Sequence, residues 1–176
     1  LSEKRYIGRS DYRDQLKEYS QIIDFFNVLE SSGMMPDFCA KNSVPESKVR
    51  YALDLYAHAQ EYVDRHNEDY VVSAMNAERS YLDHILKEVD PNIVLDEDQR
   101  RVILTDEDYC LVIAGAGAGK TTTVAAKVKY LVDRKGISPS QILVVSFTNK
   151  AVNELKEKIQ GALGIECPIA TRSEEH

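Results

Sequence analysis

The sequence predicts an α/β chain in two parts: an all-helical N-terminal module over residues 1–90, and the first part of a parallel-sheet domain over residues 91–176. Three observations carry that prediction. Apolar residues recur at helical spacing through the first part, while short apolar runs alternate with helical stretches in the second. Between one such run and the next helix lies Ala114-Gly115-Ala116-Gly117-Ala118-Gly119-Lys120-Thr121. Alternation of strands and helices argues for a parallel sheet with right-handed crossovers.

In the first part, Tyr12, Leu16, Tyr19, Ile23 and Phe26 recur at spacings that place them on one face of a helix from about Tyr12 to Glu30. Ser31-Ser32-Gly33 and then Pro36 break it. Ser43, with Pro45 and Glu46 behind it, reads as a capping box opening a second helix striped by Tyr51, Leu55, Ala59 and Tyr62. The pattern loses phase near His66-Asn67-Glu68-Asp69. It resumes through Tyr70, Ala74, Ala77, Tyr81 and Ile85, and stops at Asp90-Pro91. Stripes of this kind are core faces or hairpin seams; a docking surface for another protein fits them as well.

In the second part, a helix over Leu95 to Leu104 precedes an apolar strand from Leu111 to Ala114. The glycine-rich run follows, then a helix from Thr122 to Asp133 and a turn at Gly136. Next come a strand from Ile142 to Phe147, a helix from about Asn149 to Leu163, and a short third strand over Pro168 to Thr171.

Composition narrows the function. Of 176 residues 43% are hydrophobic, enough for a packed core, and the net charge of −7 lies mostly ahead of residue 90. An acidic chain is a poor non-specific binder of polyanions, so contact with nucleic acid must come from a local site. Cys39, Cys110 and Cys167 are too few and scattered for a disulfide framework or a zinc cluster. His58, His66, His84 and His176 lack metal-ligand spacing. Asp96-Glu97-Asp98 and Asp106-Glu107-Asp108 read as helix-start charges and a solvated turn. No apolar stretch approaches the ~20 residues that cross a bilayer, and the first residues do not lead into a secretory segment. The expected compartment is the cytoplasm, with no membrane partner.

The glycine-rich run carries the chemistry. A strand, a glycine turn and a helix N-terminus converge backbone N–H groups on one point, and glycines let the backbone approach a phosphate closely. Ala114, Gly115, Ala116, Gly117, Ala118, Gly119, Lys120, Thr121 and Thr122 are therefore the candidate triphosphate cradle. Lys120 is the catalytic candidate, reaching the β/γ-phosphates, and the Thr121 hydroxyl is the metal-ligand candidate, for Mg²⁺. The general template has Gly where this chain has Ala114. The alternative is a glycine-rich turn with a solvated lysine.

Two further segments flank the run. Gln99, in Leu95-Asp96-Glu97-Asp98-Gln99-Arg100-Arg101, can present its amide bidentately to adenine. Asp96 and Gln99 also form a capping box, and only one of these uses has the amide at a given moment. At the second strand's end, Phe147 can stack on an unpaired base while Thr148, Asn149 and Lys150 reach the phosphate–sugar backbone. Alternatively Phe147 is core and Thr148 merely caps the helix.

In order and spacing, these three segments resemble the start of the UvrD/Rep-type superfamily 1 helicases. The glutamine motif matches Leu95 to Arg101, motif I matches Ala114 to Thr121, and motif Ia matches Ser146 to Glu154. Alanine at the Ala114 position is usual in that family. The helical run with Asn67, Tyr70 and Tyr81, leading into Leu95, looks more like the helicase IV branch. Members of that branch carry a helical segment ahead of the motor, and some relatives associate with RNA polymerase.

The resemblance covers about residues 93 to 171 and implies a partial RecA-like P-loop NTPase domain. It implies ATP and Mg²⁺ as cofactors, and single-stranded DNA held by Phe147, Thr148, Asn149 and Lys150. RNA polymerase is the partner under the alternative of a release factor with a helical docking arm. Where the family continues Ala-Thr-Phe-His, this chain reads Ala170-Thr171-Arg172-Ser173-Glu174-Glu175-His176, and no acidic Mg²⁺-holding motif follows. The expectation is an N-terminal fragment of an ATP-dependent helicase, itself inactive in turnover.

Overall fold

A computed structural model describes residues 5–115 and 117–171. It is mostly helical, with one small two-stranded parallel sheet. The chain divides into two compact units, Leu1–Val72 with Asp106–Cys110, and Ser73–Thr105 with Leu111–His176. This division falls ahead of the expected boundary at residues 90/91, because Leu82, Ile85 and Leu86 are buried in the core of the second unit.

In the first unit, α1 (Arg9–Ser31) packs on α2 (Met35–Lys41) and α3 (Glu46–Ala57). Leu29, Met35, Cys39 and Val49 form the centre, with Phe25, Phe26 and Phe38 meeting edge to face beside it. Ile23 is buried as its stripe requires, but Tyr19 and Tyr51 stand exposed.

Ser43 does not open α3. It adopts a left-handed conformation (φ 55°), with its N–H on the Ala40 carbonyl and the Val44 N–H on that of Cys39. Those bonds close α2. An N-cap needs extended backbone, so a residue already committed to ending one helix cannot begin the next.

The expected break at residues 66–69 is also absent: α4 runs unbroken over Ala59–Ala77, and the chain breaks instead at His58. Asn67 explains the loss of phase. It is a buried polar residue whose amide pairs with both the N–H and the carbonyl of Ile7, each at 2.9 Å.

The start of α1 is capped from far along the chain. The Arg9 N–H donates to Glu107 Oε1 at 2.8 Å and the Ser10 N–H to Asp108 Oδ2 at 2.7 Å. Asp106-Glu107-Asp108 is thus no merely solvated turn; two of its carboxylates satisfy helix N–H groups that have no partner within the helix.

In the second unit, α5 (Arg79–His84) precedes α6 (Glu97–Leu104) and α7 (Lys120–Asp133). A short 3-10 turn leads to β1 (Val144–Ser146), then α8 (Asn149–Lys156) continues as a π-helical turn over Glu157–Ala162 before β2 (Ile169–Thr171). The two strands pair in parallel, Val145 opposite Ala170. Ile103, Leu104, Ala125, Ala126 and Ile159 fill the core, and the two alanines let the neighbouring elements close on α7.

The expected strand at Leu111 to Ala114 does not form. Residues 111–115 are irregular, with Leu111 87% and Ile113 91% exposed. A buried parallel strand needs neighbours in its sheet and cover on its faces. Among the described residues β1 and β2 bond to each other, and neither pairs with this triplet.

Candidate functional site

Two helix N-termini meet at the glycine-rich loop. Helix α7 begins directly after Gly119, which takes a left-handed conformation (φ 73°), as does Gly117 (φ 78°). No side chain caps this helix start and its first turn holds no acid. The N–H groups of a first turn have no intrahelical acceptor, and the helix dipole leaves positive potential there. An uncapped N-terminus of a fourteen-residue helix, free of carboxylates, suits an anion.

The loop side of the site is open. A Cβ added at Gly115 or Gly117 would meet nothing within 4 Å, so there is room beside both backbones. Lys120 is exposed, and its Nζ donates to the Gly115 carbonyl at 2.6 Å and the Ala114 carbonyl at 3.2 Å. These partners are neutral oxygens of the loop itself. A lysine so placed exchanges them for an anion without leaving a carboxylate unpaired. Thr121 and Thr122 are half-buried on the first turn of α7, and Thr122 Oγ1 accepts from Lys158 Nζ at 3.3 Å. Ala116 lies outside the described residues.

Helix α6 brings Gln99 to the same place. The capping box forms in full: the Gln99 N–H donates to Asp96 Oδ1 at 2.8 Å, and Gln99 Oε1 accepts from the Asp96 N–H at 3.0 Å. The remaining end of the amide points at the loop, where Nε2 lies 3.4 Å from the Ala118 carbonyl oxygen. A Cβ on Gly119 would stand only 2.5 Å from that nitrogen. Gly119 therefore meets two demands, a left-handed backbone and the close approach of Gln99.

Phe147, Thr148, Asn149 and Lys150 occupy the junction between β1 and α8, and all four are exposed. Phe147 is 80% exposed, which removes the reading of it as core. Thr148 does cap α8, accepting the Ala151 N–H at 3.2 Å. The hydroxyl's capping role leaves the ring and the two following side chains facing solvent.

Two further lysines lie near the loop and α6. Lys158 links Thr122 to Glu154, bonding the latter at 2.9 Å. Lys127, on α7, donates to the carbonyls of Ile103 and Thr105 at the end of α6. Neither belongs to a recognisable motif; the Lys158–Glu154 pair has ordinary i,i+4 helical spacing, whereas the bonds to Thr122 and to the end of α6 come only from packing of separate elements. Among the described residues no group of His, Cys, Asp and Glu is arranged to hold a metal ion, and no helix is long and apolar enough to cross a membrane.

Residues 95–174 match the family model of the UvrD/REP helicase N-terminal domain. The same region is similar to the ATP-dependent DNA helicase PcrA of Staphylococcus aureus, 37% identical over 82 residues. PcrA of Staphylococcus epidermidis is similar to the same extent. In each case the match covers 47% of this chain and 11% of the helicase, so the chain spans a small part of the relatives' length. Over this stretch the chain is similar to UvrD-type DNA helicases.

Proposed function

We propose that the chain is the N-terminal part of an ATP-dependent DNA helicase or translocase. Its helical module spans residues 1–90, of which 73–90 pack into the second unit, and residues 91–176 open a RecA-like P-loop domain. The observation that carries this reading is the convergence of Gln99 and the uncapped start of α7 on one open loop. Similarity to UvrD-type helicases over the same residues supports it.

In this reading Ala114 to Thr122 hold a nucleoside triphosphate, chiefly through main-chain N–H groups, and Lys120 stabilises charge on it. The Thr121 hydroxyl is a ligand for Mg²⁺, which when bound neutralises phosphate charge. Gln99 reads the base. Its Oε1 has two lone pairs, so one accepts the Asp96 N–H while the other remains for the adenine amino group. In this reading, and unlike the expectation that one use excludes the other, the cap and the base contact share Oε1, while the cap turns Nε2 toward the loop.

Phe147 supplies a stacking face, with Thr148, Asn149 and Lys150 beside it for the strand's backbone. The partner is single-stranded DNA, and the proposed compartment is the cytoplasm. The helical run ahead of the motor motifs favours the helicase IV-like branch.

A second reading makes the protein an RNA-polymerase-associated ATPase whose helical arm docks on its partner. It draws support from α1, which exposes Tyr19, Ile22, Phe25 and Val28, and from a groove of about 600 Å³ lined by Tyr12, Leu16, Ile23 and Tyr56. Stimulation of the full-length ATPase by single-stranded DNA separates the two. Strong stimulation supports the translocase; a DNA-insensitive ATPase that co-purifies with polymerase supports the release factor.

A further inference from the structure

Helix α6 is only eight residues long, too short to be stable or fixed in place on its own. Its first turn is held by the capping box and by Arg100, whose Nη2 donates to Asp83 Oδ1 at 2.6 Å and whose Nε donates to the Leu95 carbonyl at 3.0 Å. Its far end is held by α7. Lys127 Nζ donates to the Ile103 carbonyl at 2.7 Å and the Thr105 carbonyl at 2.6 Å, with the Tyr130 ring 5.8 Å from the ammonium. A cation among the last carbonyls of a helix is favoured by both hydrogen bonding and the dipole.

These contacts fix a direction as well as a distance. Gln99, near the start of α6, lies against Ala118 and Gly119 at the start of α7; Lys127, farther along α7, reaches the end of α6. The two helices therefore run side by side in the same sense, with both N-termini at the loop. Ile103 and Leu104 keep α6 on the core, being 0% and 1% exposed. Apolar burial is non-directional and tolerates sliding. Two short charge-assisted bonds to carbonyls do not.

We infer that Lys127 is a positioning residue for base selection: it sets the register of α6 on α7, and so holds the Gln99 amide over the phosphate loop. The inference rests on the reading of Gln99 as the base reader. Lys127 lies seven residues after Lys120, about two helical turns from the loop, and it acts through α6. Without its ammonium the two carbonyls turn to water, α6 gains freedom to slip, and the amide loses its fixed distance from the loop. Binding of the triphosphate tail, which depends on α7 and the loop, is left intact.

The test measures competition by ATP, GTP and inorganic triphosphate against a fluorescent ATP analogue in the full-length protein. The wild type prefers ATP to GTP. In Lys127→Met that preference falls about tenfold, the share carried by one bidentate amide contact, while inorganic triphosphate competes as before. Lys127→Arg restores most of the preference. An unchanged preference in Lys127→Met, or equal loss of all three ligands, overturns the inference. If Lys127→Met does not fold by circular dichroism, Lys127→Gln, which keeps a neutral donor, is judged by the same ratio. A wild type indifferent to the base overturns the reading of Gln99 and this inference with it. A preference abolished by Gln99→Ala but kept in Lys127→Met overturns the inference alone.

Discussion

Gln99 and Gly119 are in close contact: a Cβ on Gly119 would stand 2.5 Å from Gln99 Nε2, so the amide would have to shift to admit it. The glycine also sits at φ 73°, where other residues are strained. Gly119→Ala therefore meets both penalties. The expected cost is about 1–2 kcal/mol of stability from the backbone alone, together with displacement of the Gln99 amide. Urea unfolding read alongside ATP binding checks this. A variant with wild-type midpoint and wild-type affinity for ATP would show that the loop is not built around this contact.

Phe147 offers the opposite case, a large ring whose removal costs the fold little. At 80% exposure, Phe147→Ala should leave thermal stability within about 0.5 kcal/mol of wild type. Affinity of the full-length protein for single-stranded DNA should fall by about 1–3 kcal/mol, the range for one base–aromatic stack. Fluorescence anisotropy with a labelled oligonucleotide measures it. Unchanged DNA affinity removes Phe147 from the strand's path.

Acid should loosen α1. The Asp108 carboxyl is held below its ordinary range chiefly by the backbone N–H of Ser10. A group whose folded value is depressed stabilises the protein above its unfolded value, and that contribution is lost as pH falls through the folded value. The stabilisation is thus complete near neutrality and disappears below the usual carboxylate range. Asp108→Asn should reduce helicity near Ser10 at neutral pH and flatten the acid limb of the stability profile. Hydrogen exchange at the start of α1 reports on both, and an acid limb identical to wild type contradicts the assignment. Asp83, depressed in the same direction by the Arg100 guanidinium, contributes in the same pH window, so the comparison is made on one background.

What the sequence reveals and what it hides differ by range of interaction. The Asp96–Gln99 box, the span of α7 and the Thr148 cap are written within a few residues, and each forms. The glycine-rich loop is equally local, since Gly117 and Gly119 take the left-handed backbone that glycine adopts without strain. Leu111-Val112-Ile113 looks like a strand because three apolar residues describe a buried environment without naming a partner for it. Ser43 satisfies a capping pattern, yet closing α2 takes precedence. The Asp108 cap on Ser10 and the Lys127 bonds to α6 join residues far apart in sequence, and no spacing rule points to either.

The central claim is that the loop and the first turn of α7, with Lys120, form a seat for a nucleoside triphosphate. Calorimetric titration of the full-length protein with ATP and Mg²⁺, beside Lys120→Ala, tests it most directly. Lys120 is exposed and, among the described residues, bonds the loop carbonyls of Ala114 and Gly115, so the variant should fold as wild type does. The account predicts that wild type binds and that the variant binds at least about tenfold more weakly, in keeping with loss of a charge-assisted contact to phosphate. Equal affinity in a folded variant would contradict it.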